Sequence, residues 1–138
     1  MKVRRPLALL CAPLLAFGVS ACASTTASNS FKGEQHTVAQ VISNLQSDVV
    51  ASDQKKICAK DLASAVVSSL GGAKRCEAAI KNQLTEVDTP EVTIQSIQLN
   101  GAGASASAQV RSTYAGKKRI GTLTLVKEAG KWKVSKLG

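Results

Sequence analysis

The chain has 138 residues, with 18 Lys or Arg against 9 Asp or Glu, a formal charge of +9 at neutral pH. That length bounds one domain, large enough for a real core. Past the N-terminal segment the aromatics are Phe31, Tyr114 and Trp132, which form no stacking series and argue against a nucleic-acid partner.

The N-terminus reads as an export signal. Lys2, Arg4 and Arg5 form a basic n-region, Leu7 to Gly18 an apolar h-region, and Ser20 and Ala21 supply small residues before Cys22. The apolar run is about a dozen residues, short of the roughly 18 a spanning helix needs, and Pro13 interrupts it. Val19-Ser20-Ala21-Cys22 looks like a bacterial lipobox, in which the cysteine thiolate takes up a diacylglyceryl group. One acyl chain holds only marginally, whereas two anchor stably. The expected plan is a signal over 1–21, a lipidated Cys22 with a tether over 22–32, and a folded domain over 33–138. Ala23 to Ser30 contains no large apolar residue, so it cannot offset its ordering entropy; as coil it spans roughly 15 Å. The protein is therefore expected outside the cytoplasm, held to the membrane by lipid. The domain keeps a net positive charge after Lys2, Arg4 and Arg5 are removed, which favours anionic headgroups and also solubility.

Val38, Val41, Ile42, Leu45 and Val49 recur with helical spacing, predicting a helix from about Gly33 to Ala51. A second, short helix starts at Ser52 as cap and carries Ile57 and Cys58. A third follows Asp61, with Leu62, Ala65, Val66 and Leu70 on its stripe. Gly71-Gly72 ends it. A fourth spans about Ala73 to Val87, with Cys76, Ala79, Ile80 and Leu84 along one side. In an oxidising compartment Cys58 and Cys76 are expected to form a disulfide joining the second helix to the fourth. It would close a loop of about 17 residues, which loop entropy values at roughly 3 kcal/mol. No metal site is expected: His36 is the only histidine, and it is far from the cysteines. No cofactor motif is present. Gly71-Gly72-Ala73-Lys74-Arg75 lacks phosphate-loop spacing and reads as a helix break.

At Asp88-Thr89-Pro90 the period changes. Val92, Ile94, Ile97 and Leu99 predict a strand whose alternation slips between Ile94 and Ile97, as a bulge would produce. Asn100-Gly101 signals a hairpin. The next strand places Ala104, Ala106, Ala108, Val110 and Tyr114 on one face. Those alanines either admit a close helix or leave room for a pocket, with Tyr114, Ala106, Ala108 and Val110 as its lining. Ala115-Gly116-Lys117-Lys118 is read as a turn, and Lys117, Lys118 and Arg119 as a basic tip able to touch an anionic surface. Arg119 to Lys127 is a third strand, apolar on both faces and hence central. Lys131 to Leu137 is the fourth, led by Trp132 and Val134. Helices followed by a four-stranded antiparallel meander define an α+β domain, three to four helices packed on a curved sheet.

This plan resembles small exported lipoproteins of the nuclear-transport-factor-2-like superfamily, especially actinobacterial ones. The likeness rests on Cys22, the pair Cys58 and Cys76, and the hairpin from Arg119 to Val134 ending Gly-Lys-Trp-Lys-Val. The resemblance implies a cone, often with a cavity, in a superfamily holding both enzymes and binding domains. Its isomerases use a carboxylate base with a tyrosine and an acid as oxyanion donors. Here Tyr114 is the one tyrosine. Asp48, Asp53, Asp61, Glu77, Glu86, Asp88, Glu91 and Glu128 read mostly as solvated or capping groups at helix starts, polar faces and turns. His36 reads as a surface or helix-end residue, and no nucleophile elbow Gly-x-Ser-x-Gly occurs. The expected function is a non-catalytic module binding a small apolar ligand or an envelope protein. The alternative is an isomerase- or cyclase-like enzyme with Tyr114 in its cavity.

Overall fold

A computed structural model describes residues 30–86, 91–114 and 116–137, without the side chain of Tyr114. The signal segment, the lipobox with Cys22, most of the tether and the Asp88-Thr89-Pro90 break lie outside the described residues. No helix among the described residues is long and apolar enough to cross a membrane.

The periodic run forms α1 (Glu34–Val50), which buries Val38, Ala39 and Ile42. The chain then reverses through Ser52, which takes φ 54°. Ser52 is therefore not the expected cap. Asp53 is, accepting a hydrogen bond from the Lys56 backbone N–H at 3.0 Å at the start of α2 (Gln54–Lys56). α2 passes straight into a π-helical turn, Ile57–Asp61, closed by the Leu62 N–H on the Ile57 carbonyl at 3.0 Å. Leu62 and Ala63 are extended, not helical. Leu62 forms a parallel bridge to Val134, and the Ala63 N–H bonds the Val134 carbonyl at 2.8 Å. The third helix, α3, is consequently shorter than expected (Ser64–Ser69), and Ala65 on it is exposed. Gly71 and Gly72, both at positive φ, separate it from α4 (Ala73–Leu84). The disulfide Cys58–Cys76, Cα atoms 6.1 Å apart, joins the π-helical turn to α4.

Four strands follow: β1 (Glu91–Asn100), β2 (Ser105–Tyr114), β3 (Lys117–Glu128) and β4 (Lys131–Leu137). They form one antiparallel meander in the order β1-β2-β3-β4. The slip in β1 is a bulge between Ile94 and Ser96. The extra residue lets Ile94 and Ile97, three apart, both point inward and be buried. Asn100-Gly101 does not make a two-residue turn: Gly101–Gly103 form a 3-10 turn with Ala102 at φ 55°. Ala104 thus falls outside β2. At the next corner Lys117 pairs with Tyr114 and Lys118 with Thr113. The turn is two residues tighter than the sequence suggested, and both lysines are strand residues. β3 is central in strand order, yet its outer face is open, with Ile120 60% exposed.

Helices and sheet close one core. Val38, Ile42, Ile57, Ala106, Ala108, Leu125, Trp132 and Val134 belong to one buried cluster. Several side-chain bridges fasten the layers, among them Gln35 donating to the Ile97 carbonyl at 2.8 Å, and two run through glutamates. Glu128 accepts from the Ser64 backbone N–H (3.0 Å) and hydroxyl (3.0 Å), capping α3 from the β3–β4 hairpin where Ala63 has no capping side chain. Glu34, in the first turn of α1, accepts from the Trp132 indole N–H at 2.7 Å and from Lys127 at 2.9 Å, while the Lys127 ammonium sits 5.4 Å from the Trp132 ring centre. Those two donors, Lys127 foremost, hold the Glu34 carboxyl below its ordinary value.

Candidate functional site

Strand register determines which β-residues face α1. Arg119 pairs with Ser112, Gly121 with Val110, Leu123 with Ala108 and Leu125 with Ala106. Side chains alternate along a strand, so these two rows share the inner face. Leu125, Ala106 and Ala108 are fully buried at its closed end. Toward the other end the helix and the sheet diverge. They leave an apolar groove of about 460 Å³, walled by Ile42, Leu45 and Val49 of α1 and by Val92, Val110 and Leu123 of the sheet. That volume lies within the roughly 300–1,000 Å³ of small-molecule sites. Gly121 contributes to the width by carrying no side chain opposite Val110. The polar members of the lining are Gln46, Ser112 and Arg119. Ile120 and Leu137 stand at the rim, both largely exposed.

Of the expected cavity residues, Val110 lines this groove. Ala106 and Ala108 do not; they are sealed in the core, where their small size seats the helix layer close to the sheet. The side chain of Tyr114 lies outside the described residues. Arg119 is no longer a hairpin-tip residue but faces the groove, while Lys117 and Lys118 are exposed at the strand start. The sequence did not single out Ser112 or Gly121. Knowing the β2–β3 register would have found both.

A second cluster was also missed. Asp48 and Asp61 are not solvated: they are 4% and 6% exposed. One oxygen of Asp48 pairs with the Lys56 ammonium at 2.7 Å, and this hydrogen bond holds the lysine above its ordinary value. Oδ2 of each aspartate is buried without a partner among the described residues. A protonated Asp61 can donate to the Asp48 carboxylate beside it. Burial first, then the hydrogen bond and charge of Asp48, push Asp61 up to about 7; Lys56 and Lys133 pull the other way. The pair borders a hollow of about 440 Å³ on a different face of α1, between Thr37, Val41, Asn44, Lys60, Lys131 and Trp132. Asp61 is the last residue of the π-helical turn and is buried there. Among the described residues no three His, Cys, Asp or Glu side chains gather as a metal site would require.

No protein-family model matches the chain, and no curated protein matches it in sequence. Solved structures do match in shape. A designed nuclear-transport-factor-2-fold protein, Rd1NTF2_05, superposes with a TM-score of 0.52 at 15% identity, covering 76% of this chain and 97% of its own. A protein from Xanthomonas campestris, proposed to be a calcium/calmodulin-dependent protein kinase II association domain, superposes with a TM-score of 0.50 at 18% identity, covering 75% and 84%. At such identities the likeness defines the fold, which is that of a nuclear-transport-factor-2-like α+β domain. This architecture serves ligand-binding proteins and enzymes alike.

Proposed function

We propose that the protein is an exported, lipid-anchored binding module that holds a small apolar molecule between α1 and the inner face of the sheet. The groove carries this reading: six aliphatic side chains form its walls, and its polar lining is Gln46, Ser112 and Arg119. Such groups orient a bound molecule rather than take a proton from it. The anchor rests on the lipobox at Cys22, and export agrees with the Cys58–Cys76 disulfide. The test is native mass spectrometry of the protein recovered from cells, beside a Gly121→Val variant whose side chain narrows the groove. A reproducible added mass in the native chain, lost in the variant, supports the reading. A native chain that takes up nothing from envelope extract overturns it. An isomerase-type site that uses the Tyr114 phenol as a donor would instead lose turnover in Tyr114→Phe.

A further inference from the structure

The groove has one charged member in its described lining, and that residue is placed for recognition. Arg119 lies on the inner face, opposite Ser112 in register and one inner-face position beyond Gly121, where the apolar walls open to solvent. Neither ion pair among the described residues involves it. It is exposed, so holding an unpaired charge there carries no burial penalty. Lys117, on the same face of the strand, is exposed and unpaired among the described residues as well, while Glu91, exposed beside Val92, is the described acid at this end of the sheet, so bases outnumber it there. The walls that lead inward from Arg119 are aliphatic: Val110 and Leu123 on the sheet, Ile42, Leu45 and Val49 on the helix.

We infer that the ligand of this groove is a single-chain amphiphile whose carboxylate pairs with Arg119 and whose hydrocarbon chain lies along Ile42, Leu45, Val49, Val110 and Leu123. The inference rests on the binding reading above and adds the ligand's class and polarity. A guanidinium presents two parallel N–H donors that match the two oxygens of a carboxylate, and the Ser112 hydroxyl across the strand pair offers a third donor. An apolar tail gains burial all along the groove, while the head stays at the wet end, where a charge is least costly.

The test is calorimetric titration of the full chain, its disulfide formed, with decanoate and with decanol, both as monomers in solution. Decanoate is expected to bind about three- to fivefold tighter than decanol, as a solvent-exposed charge-assisted pair should. Arg119→Gln should abolish that preference while leaving the decanol affinity in place, and Arg119→Lys should retain part of it. If decanol binds as well as decanoate, or if Arg119→Gln keeps the preference, the carboxylate inference falls and the apolar groove stands. If neither probe binds, both fall. A chain that sediments as a dimer and takes up neither probe assigns the groove to a second copy, which also overturns the inference.

Discussion

Replacing Asp61 with Asn removes one of the two carboxyls buried between α1 and the π-helical turn and leaves a side chain of the same shape. The amide can still donate to Asp48, so the shared hydrogen bond survives without a titrating proton. In the native protein Asp61 rises from an ordinary 3.8 to about 7. An acid raised on folding binds its proton more tightly in the folded state, so its contribution to stability is present at low pH and is lost as pH climbs through the folded value. A shift of that size is worth at most about 4 kcal/mol. Between about pH 5 and about pH 8 the linked loss is about 2–3 kcal/mol, falling toward about 2 because the pair borders a solvent-facing hollow. The native protein should therefore weaken over that interval. Asp61→Asn should stay level, match the native protein within about 0.5 kcal/mol at the lower pH, and exceed it by about 2 kcal/mol at the higher. Trp132 is the only tryptophan in the chain and is buried, so urea unfolding followed by its emission gives both curves. Native stability that holds or rises toward the higher pH would refute the raised Asp61, and so would a variant that declines in parallel with it.

The remaining predictions concern the anchor and the two clamps. Reducing Cys58–Cys76 should cost roughly 3 kcal/mol, the loop-entropy value for this span, read as a lower urea midpoint with a somewhat steeper slope, since the freed unfolded chain exposes more surface; no shift would mean that the bridge does not constrain the unfolded chain. Glu34 is held below its ordinary value of 4.5 by Lys127 and Trp132, so its stabilising contribution is full above that value and lost as pH falls through its own lower one. Trp132 emission should report this acid step, and Glu34→Gln should remove it. Cys22→Ala should move the protein from membrane to soluble fractions; tight attachment that persists would end the lipid-anchor proposal.

Much of the fold was legible because its elements carry strong local periods. α1 and the inner face of β2 are apolar at regular spacing, and each buries the stripe its spacing names: Val38 and Ile42 on one, Ala106, Ala108 and Val110 on the other. The slip from Ile94 to Ile97 named its own bulge. Where the backbone departs from a standard period, the local pattern misled. Leu62 fits a helical stripe, but the π-helical turn before it hands the chain to an extended segment that pairs with Val134. Asn100-Gly101 has a two-residue hairpin signature, yet it opens a 3-10 turn.

The sequence by itself determined the order of the layers, helices first and a meander afterwards, and the cysteine pair fit to staple the helical half. Composition and spacing suffice for these, because each element carries its own period and the two cysteines each fall on an apolar stripe. Only the tertiary structure decided which polar groups are buried and which way Arg119 faces. Asp48 and Asp61 belong to different elements, and nothing near either in sequence predicts that they meet across the π-helical turn. Arg119 looked like a solvated tip until the two-residue turn after Tyr114 fixed the register and set it opposite Ser112. A shift of one residue in that register would have placed Arg119 on the outer face and removed the charge from the groove.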